Sequence, residues 1–208
     1  MPESRPRVDT LWHMDRITVF CSSSTRCERS LDRVAHDVGR RIADAGRAVV
    51  FGGGSVGLMG ALAEGCKAGG GRLIGITTKR LVELEQASET CDELEIHETL
   101  RDRRRRLLEL ADGVLVLPGG LGTLEEFFEA LVGRQLAEHD APIGIVNAAG
   151  ALDGLLHMLD DLIAQGFVRD SAKELFFVED NAAQAVDRLL QTKPFFVNPS
   201  RMVPSGTD

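Results

Sequence analysis

Residues 118–126, PGGLGTLEE, combine residue types that could bind a phosphate group and supply a carboxylate for catalysis. They follow the apolar run Val114–Leu117, which is typical of a buried strand. Glycines let backbone N–H groups approach a ligand, and the N-terminus of the helix that follows attracts phosphate. The residues concerned are Gly119, Gly120, Gly122 and Thr123. Glu126 has two interpretations: a catalytic carboxylate, or the second half of a capping box that begins at Thr123.

A second glycine-rich turn, GGGSVG, follows the apolar run Ala48–Phe51. Its glycines match the dinucleotide pattern G-x-G-x-x-G, but the next strand ends in ITTKR and offers no carboxylate for a ribose hydroxyl. The turn also follows the second predicted strand rather than the first. We therefore expect Gly54 and Ser55 to contact a phosphate, and we do not expect an NAD site.

The same turn contains the pattern G-x-S-x-G around Ser55, which presents the nucleophile in serine hydrolases. Asp140 or Asp153, followed by His157, would complete a triad in the required order. His157 falls inside a predicted helix, which disfavours this role. A purely structural turn, in which the glycines supply positive φ angles, is the other alternative.

An arginine-rich helix is predicted from Leu100 to Ala111. At about 100° per residue, Arg103 and Arg104 fall on or beside its apolar stripe. The other charged residues of the run 101–106 point to solvent. An inward arginine needs a carboxylate or an anionic ligand, because an unpaired buried charge is costly. We therefore expect these arginines, Glu126 and a phosphate to share one site.

Apolar runs and helical periodicities alternate along the chain, which predicts an α/β fold. The strands are uniformly apolar, as in a parallel sheet that is covered on both faces. We expect a three-layer, Rossmann-like, doubly wound and mainly parallel sheet with helices on both faces. The predicted strands are residues 17–21, 48–51, 73–76, 94–97, 113–117, 143–147 and 175–178. Residues 78–93 are predicted to form a loop that could include a helical turn.

The pattern indicates one domain with two flanking segments. Residues 1–15 are predicted to be flexible, residues 16–191 to form a single nucleotide-binding domain, and residues 192–208 to form a C-terminal tail. Doubly wound sheets bind ligands beyond the carboxyl ends of their strands. Both glycine-rich turns fall there. So does the serine-rich turn after the first strand, which contains Ser22 and Ser23.

The 208-residue chain carries a net charge of −8, which disfavours nucleic acid or an anionic membrane as a partner. No apolar run is long enough to cross a bilayer and no signal peptide is evident, so we expect a cytoplasmic location. The four cysteines lack the spacing of a zinc site, so we expect free thiols and no metal. They are Cys21, Cys27, Cys66 and Cys91.

Three features together resemble one known family. GGGSVGLMG, PGGLGTLEE and the arginine helix between them are similar to those of the LOG (Lonely Guy) family of cytokinin riboside 5′-monophosphate phosphoribohydrolases, long mistaken for lysine decarboxylases. The signature P-G-G-x-G-T-x-x-E is matched in full, and the resemblance runs from about Ile17 to Leu190. It implies a Rossmann-like fold, a homodimer, and hydrolysis of a nucleoside 5′-monophosphate to free base and ribose 5-phosphate without a metal or redox cofactor.

The resemblance assigns the catalytic glutamate to Glu126 and the catalytic arginine to Arg103. The substrate-binding residues are then expected among Ser22, Ser23, Gly54, Ser55, Arg104, Gly119, Gly120, Gly122 and Thr123. Several residues depart from those that many members carry, and they border the base pocket in the family. They are Leu100, Arg101, Arg104, Leu121 and Gly133.

The preferred base therefore stays open between adenine, an N6-prenylated adenine and others. Two alternatives to this activity are a non-catalytic nucleotide sensor or carrier that uses the same phosphate site, and a serine hydrolase that uses Ser55.

Overall fold

The computed structural model describes residues 13–85 and 88–202, so most of the predicted flexible segment 1–15 and the end of the predicted tail lie outside the described residues. Within these ranges, seven strands form one sheet in which all neighbours are parallel. The strands are β1 (Arg16–Phe20), β2 (Ala48–Phe51), β3 (Leu73–Thr78), β4 (Glu93–His97), β5 (Gly113–Val116), β6 (Ile143–Val146) and β7 (Phe176–Glu179). The helices are α1 (Arg29–Asp44), α2 (Gly57–Ala68), α3 (Lys79–Glu85), α4 (Leu100–Glu109), α5 (Leu121–Gln135), α6 (Asp153–Ala164), α7 (Ala182–Gln191) and α8 (Pro199–Met202).

The strand order is β4-β3-β2-β1-β5-β6-β7, with β1 in the centre. The chain builds outward from β1 to β4 and then returns to place β5 on the other side of β1. Ile17 of β1 lies opposite Val49 of β2 and Gly113 of β5. Winding reverses between β1 and β5, and a doubly wound sheet binds its ligands at such a switch point. The turns after β1 and β5 are therefore the expected place for a site.

Each face of the sheet is buried by helices. Leu115 and Leu117 face a core shared with α1, α2 and α7, whereas Val114 and Val116 face a core shared with α4, α5 and α6. Strands β2, β5 and β6 are apolar and fully buried because both of their faces are covered. Edge strand β4 is largely exposed and alternates charged with apolar residues, so the expectation of uniformly apolar strands was wrong there. The predicted three-layer α/β fold with a doubly wound parallel sheet is confirmed.

The observed strands agree with the predicted ones to within two residues at each end, but two helices differ. The segment 78–93, predicted as a loop that could include a helical turn, contains the seven-residue helix α3, so the helix is longer than the prediction allowed. The α3 segment begins where Leu81 N donates to Thr78 Oγ1 (3.2 Å). Helix α5 begins at Leu121, two residues before the predicted start, although Gly122 has a poor helix propensity and Leu121 is exposed.

The segment after α7 packs against the sheet as far as Met202. Val197 and Met202 are buried in the core that contains α4, α5 and α6. Gln135 Nε2 donates to the Met202 carbonyl at 2.8 Å. The end of the described chain is thus attached to α5, the helix that follows the PGGLGT turn.

Two glycines allow α1 and α2 to approach each other closely. A Cβ at Gly65 would lie 1.9 Å from the His36 carbonyl oxygen, and one at Gly39 would lie 2.1 Å from the Leu62 carbonyl oxygen. Both clashes involve backbone atoms, which cannot turn away as a side chain can. The packing of α1 on α2 therefore requires glycine at both positions.

Gly65→Ala should lower the free energy of unfolding by about 1–3 kcal/mol or more, because the methyl group must push two helix backbones apart. Chemical denaturation measures this difference. Gly154→Ala on α6 is the matched control, since a Cβ there meets nothing within 4 Å. If Gly65→Ala were as stable as Gly154→Ala, the close contact between α1 and α2 would be wrong.

Candidate active site

Arg103 lies on the inner face of α4 and is only 7% exposed. Helix α4 begins after Thr99, whose Oγ1 accepts a hydrogen bond from Asp102 N at 3.1 Å. Arg103 Nε donates to the Ile76 carbonyl of β3 at 2.9 Å. The backbone of the sheet therefore holds the guanidinium in place, and its inward direction agrees with the helical spacing in the sequence.

Glu126 lies on α5 and is 6% exposed. Arg103 Nη1 donates to its Oε1 at 2.8 Å. The N-cap residue of α5 is Gly120, and no side chain caps the helix, so the capping-box interpretation of Thr123 and Glu126 was wrong. The carboxylate of Glu126 is directed to Arg103 instead.

Burial sets the electrostatics of this pair. Loss of water raises the pKa of Glu126 above its ordinary value of 4.5, and the charge and hydrogen bond of Arg103 oppose that rise. A carboxyl group with a raised pKa exchanges a proton more readily near neutral pH than an ordinary one. The pair can therefore supply either a charged carboxylate or a proton-transfer group in a water-poor site.

The turn after β5 leads from Leu117 directly to α5. A Cβ at Gly119 would lie 2.0 Å from Thr123 Oγ1, so the Thr123 side chain occupies the space beside this glycine. A Cβ at Gly120 or Gly122 would meet nothing within 4 Å. These two glycines border open space at the N-terminus of α5, where a ligand can approach the backbone.

The turn after β1 connects the other two turns. Ser22 N donates to the Pro118 carbonyl at 3.2 Å, and the Ser22 carbonyl accepts from Met59 N at 3.2 Å. Ser22 Oγ accepts from Ser24 N at 3.0 Å. Ser22 and Ser23 are both partly exposed. Backbone hydrogen bonds thus join the serine-rich turn to the PGGLGT turn and to α2.

The turn after β2 packs against the serine-rich turn that follows β1. Gly57 has a φ of +61°, and a Cβ there would lie 2.5 Å from the Ser24 carbonyl oxygen. Gly54 is buried and Ser55 is exposed. The structure therefore brings the three predicted turns together at the carboxyl edge of the sheet.

Arg104 has other partners than the PGGLGT turn. Its Nη1 contacts Glu125 Oε1 at 2.8 Å, and its Nε donates to Glu129 Oε2. Both carboxylates belong to α5, so Arg104 fastens α4 to α5 beside the Arg103–Glu126 pair. Its role in substrate binding stays a prediction.

Cys21 was not identified as a site residue from the sequence. It follows β1 directly and is 2% exposed. Burial raises the pKa of its thiol most strongly, and the negative charge of Glu126 adds to the rise. Cys21 thus lies within electrostatic reach of Glu126. A lone cysteine after an apolar strand carries no pattern that predicts such a contact.

The strand order separates the residues of the alternative hydrolase triad. Ser55 follows β2, whereas His157 lies exposed on α6, which follows β6. Strands β1 and β5 stand between β2 and β6, so about 14 Å of sheet separates the two elements at about 4.8 Å per strand. Asp153 accepts a hydrogen bond from Asn147 Nδ2 at 2.7 Å. This arrangement disfavours the serine hydrolase.

Two further observations concern residues 13–85 and 88–202. They contain no helix that is both long and apolar enough to cross a membrane. In the same ranges, no three His, Cys, Asp or Glu side chains cluster in a way that could hold a metal ion. The four cysteines are free thiols.

Solved structures share this fold. The molybdenum cofactor carrier protein of Chlamydomonas reinhardtii is similar with a TM-score of 0.66 and 20% sequence identity, over 86% of this chain and 100% of that chain. The molybdenum cofactor binding protein of Rippkaea orientalis gives a TM-score of 0.64 and 20% identity, over 85% and 96% of the two chains. At this identity the likeness shows the fold alone.

Sequence comparison gives a closer relationship. A family model described as possible lysine decarboxylase matches residues 59–189. The chain is 35% identical over 179 residues to the cytokinin riboside 5′-monophosphate phosphoribohydrolase LOG3 of Arabidopsis thaliana, covering 86% of this chain and 83% of the relative. It is 38% identical over 170 residues to the cytokinin riboside 5′-monophosphate phosphoribohydrolase of Mycobacterium tuberculosis, covering 82% and 90%. These matches confirm the resemblance seen in the motifs, and the chain therefore belongs to the LOG family of cytokinin riboside 5′-monophosphate phosphoribohydrolases.

Proposed function

We propose that this protein hydrolyses the N-glycosidic bond of a nucleoside 5′-monophosphate, either cytokinin riboside 5′-monophosphate or AMP, to free base and ribose 5-phosphate. The observation that carries the proposal is the buried contact between Arg103 and Glu126 beside three ligand-accessible turns. The names of the relatives from Arabidopsis thaliana and Mycobacterium tuberculosis support the same reaction.

The 5′-phosphate is proposed to bind at the start of α5. The first hydrogen bond of this helix joins Leu124 N to the Gly120 carbonyl at 3.0 Å, so the preceding N–H groups have no acceptor inside the helix. These groups and the positive end of the helix dipole favour an anion, even in a protein whose net charge is −8. The residues proposed to surround the phosphate and ribose are Ser22, Ser23, Gly54, Ser55, Gly119, Gly120, Gly122 and Thr123.

Glu126 is proposed to act on the ribose. Cleavage of a glycosidic bond passes through a transition state with positive charge on the sugar ring, which a carboxylate stabilises. The same carboxylate can take a proton from the attacking water. The water oxygen then bonds to C1′, while the electron pair of the broken C–N bond leaves with the base, which takes up a proton.

Arg103 is proposed to hold Glu126 in its ionised form and to stabilise the departing base. Its hydrogen bond to the carboxylate favours the charged state, against the effect of burial. The second hydrogen bond, to Ile76 of β3, fixes the guanidinium relative to the sheet. Arg103 thus favours the ionised form of the Glu126 carboxylate and also sets its orientation.

The proposed assembly rests on the family resemblance, and the proposed location rests on the absence of a signal peptide or long apolar run in the sequence. We propose that the protein acts as a homodimer in the cytoplasm. Light scattering coupled to size-exclusion chromatography measures the assembly, and a mass of one chain, 22.6 kDa, would contradict the dimer.

Glu126→Gln should reduce kcat for a cleaved monophosphate by about 10²- to 10⁴-fold, because it removes the ionisable carboxylate. Free base and ribose 5-phosphate are quantified by chromatography. Glu125→Gln is the matched control, since this neighbouring carboxylate is 54% exposed and contacts Arg104 rather than Arg103. Its activity should stay near that of the original protein.

The Glu126→Gln variant leaves the Arg103 charge buried without a carboxylate, and this lowers the stability of the folded protein. The double variant Arg103→Met/Glu126→Gln removes both charges and should fold without turnover, as thermal melting and the same assay will show. Near-full activity in either variant would contradict the catalytic assignment. Tight AMP binding without cleavage in the original protein would favour a nucleotide carrier.

The acid limb of the pH profile of kcat/KM should lie above pH 4.5, because burial raises the pKa of Glu126 and the reaction needs its ionised form. Activity is therefore lost as the pH falls through that raised pKa. In Arg103→Met the limb should move to still higher pH, since the opposing positive charge is gone. If the acid limb lay at the same pH in both proteins, the claim that Arg103 lowers the pKa of Glu126 would be contradicted.

A further inference from the structure

Gly52 follows β2 directly and lies against Arg103. A Cβ at Gly52 would be 2.6 Å from Arg103 Nη2 and 2.9 Å from Met59 Cε, whereas ordinary van der Waals contact begins near 3.4 Å. The guanidinium therefore occupies space that any side chain at position 52 would need. An alanine methyl group would require a displacement of nearly 1 Å.

Backbone conformation does not explain this glycine. Gly53 and Gly57 of the same turn have φ angles of +77° and +61°, which favour glycine over other residues. Gly52 lies outside that left-handed region. A positive φ angle therefore does not exclude alanine at position 52, and the nearest atoms that its methyl group would meet belong to Arg103 and Met59.

Those two side chains differ in how freely they can move. Met59 is a flexible thioether and can turn its terminal methyl group aside. The guanidinium of Arg103 is a rigid plane that is bonded along two edges, through Nε to Ile76 and through Nη1 to Glu126. A shift of Nη2 tilts the whole plane, so at least one of these hydrogen bonds must lengthen.

We propose that Gly52 is a positioning residue for the cleavage reaction: its missing side chain sets the plane of the Arg103 guanidinium so that Nη1 meets Glu126. This inference rests on the proposed function, and it concerns the first glycine of the GGGSVG turn rather than the residues assigned to the phosphate. Gly52 acts through Arg103 and has no chemical part of its own.

Gly52→Ala should fold normally and lower kcat by about 10- to 100-fold, because a misplacement of about 1 Å in a catalytic group can cost that much. The KM for the monophosphate should change far less than kcat. Gly154→Ala is again the control, with kcat and KM unchanged. A loss confined to KM would mean that residue 52 obstructs the substrate, and would overturn the proposal.

A double-mutant cycle tests whether the effect runs through Arg103. In the Arg103→Met background the guanidinium is absent, so Gly52→Ala should cause little further loss of kcat. A further loss as large as that in the original protein would contradict the proposal.

A readout independent of turnover separates this inference from the proposed function. In protein labelled with ¹³C at glutamate carboxyl carbons, the Glu126 signal is identified by its disappearance in Glu126→Gln, and its pKa is measured by NMR titration. Gly52→Ala should raise that pKa relative to the original protein, because the guanidinium no longer meets the carboxylate. An unchanged pKa overturns the positioning role even if the protein cleaves a nucleotide. Failure of the original protein to cleave any nucleotide overturns the proposed function, and a raised pKa in Gly52→Ala would then show only that Gly52 orients Arg103.

Discussion

The burial of an arginine and a glutamate against each other is the constraint on which the site depends. Arg103 and Glu126 are each less than a tenth exposed. Removing two charges from water costs several kcal/mol per ion, and their attraction offsets this only when the geometry is good and the remaining hydrogen-bonding groups are satisfied. The contact at 2.8 Å provides that geometry, and the bond to the Ile76 carbonyl satisfies a second edge of the guanidinium. Such a pair is a weak source of stability, so we infer that it is placed near the glycine-rich turns for a chemical role.

The fold supplies the two helices that carry the pair. Helix α4 lies in the long connection that brings the chain back from edge strand β4 to central strand β5. It packs over β3, where Arg103 finds its backbone partner. Helix α5 starts directly after β5, and its first turn faces the switch point between β1 and β5. The reversal of winding thus places the basic residue of one helix and the acidic residue of the next in the same cleft.

The features that could be predicted from the sequence are those that depend on residues close together in the chain. Uniformly apolar runs identified the strands, and helical spacing indicated that Arg103 points inward. The remaining features depend on contacts between elements that are far apart in the chain. The partners of Arg104 on α5, the closeness of Cys21 to Glu126 and the space that Gly52 leaves for Arg103 arise only when the layers pack. The start of α5 was missed because the poor helix propensity of Gly122 argued against a helix at this point of the chain.

The central claim is that the buried pair cleaves a nucleotide whose phosphate is bound by the turns. The most direct measurement is a side-by-side incubation of the protein with AMP, N6-prenylated AMP and the corresponding nucleosides that lack the phosphate, with base and ribose products quantified by chromatography. The account predicts that free base and ribose 5-phosphate appear in equal amounts from at least one monophosphate, and that the nucleosides remain intact. Recovery of every bound monophosphate unchanged, or cleavage of nucleosides at the same rate, would contradict it.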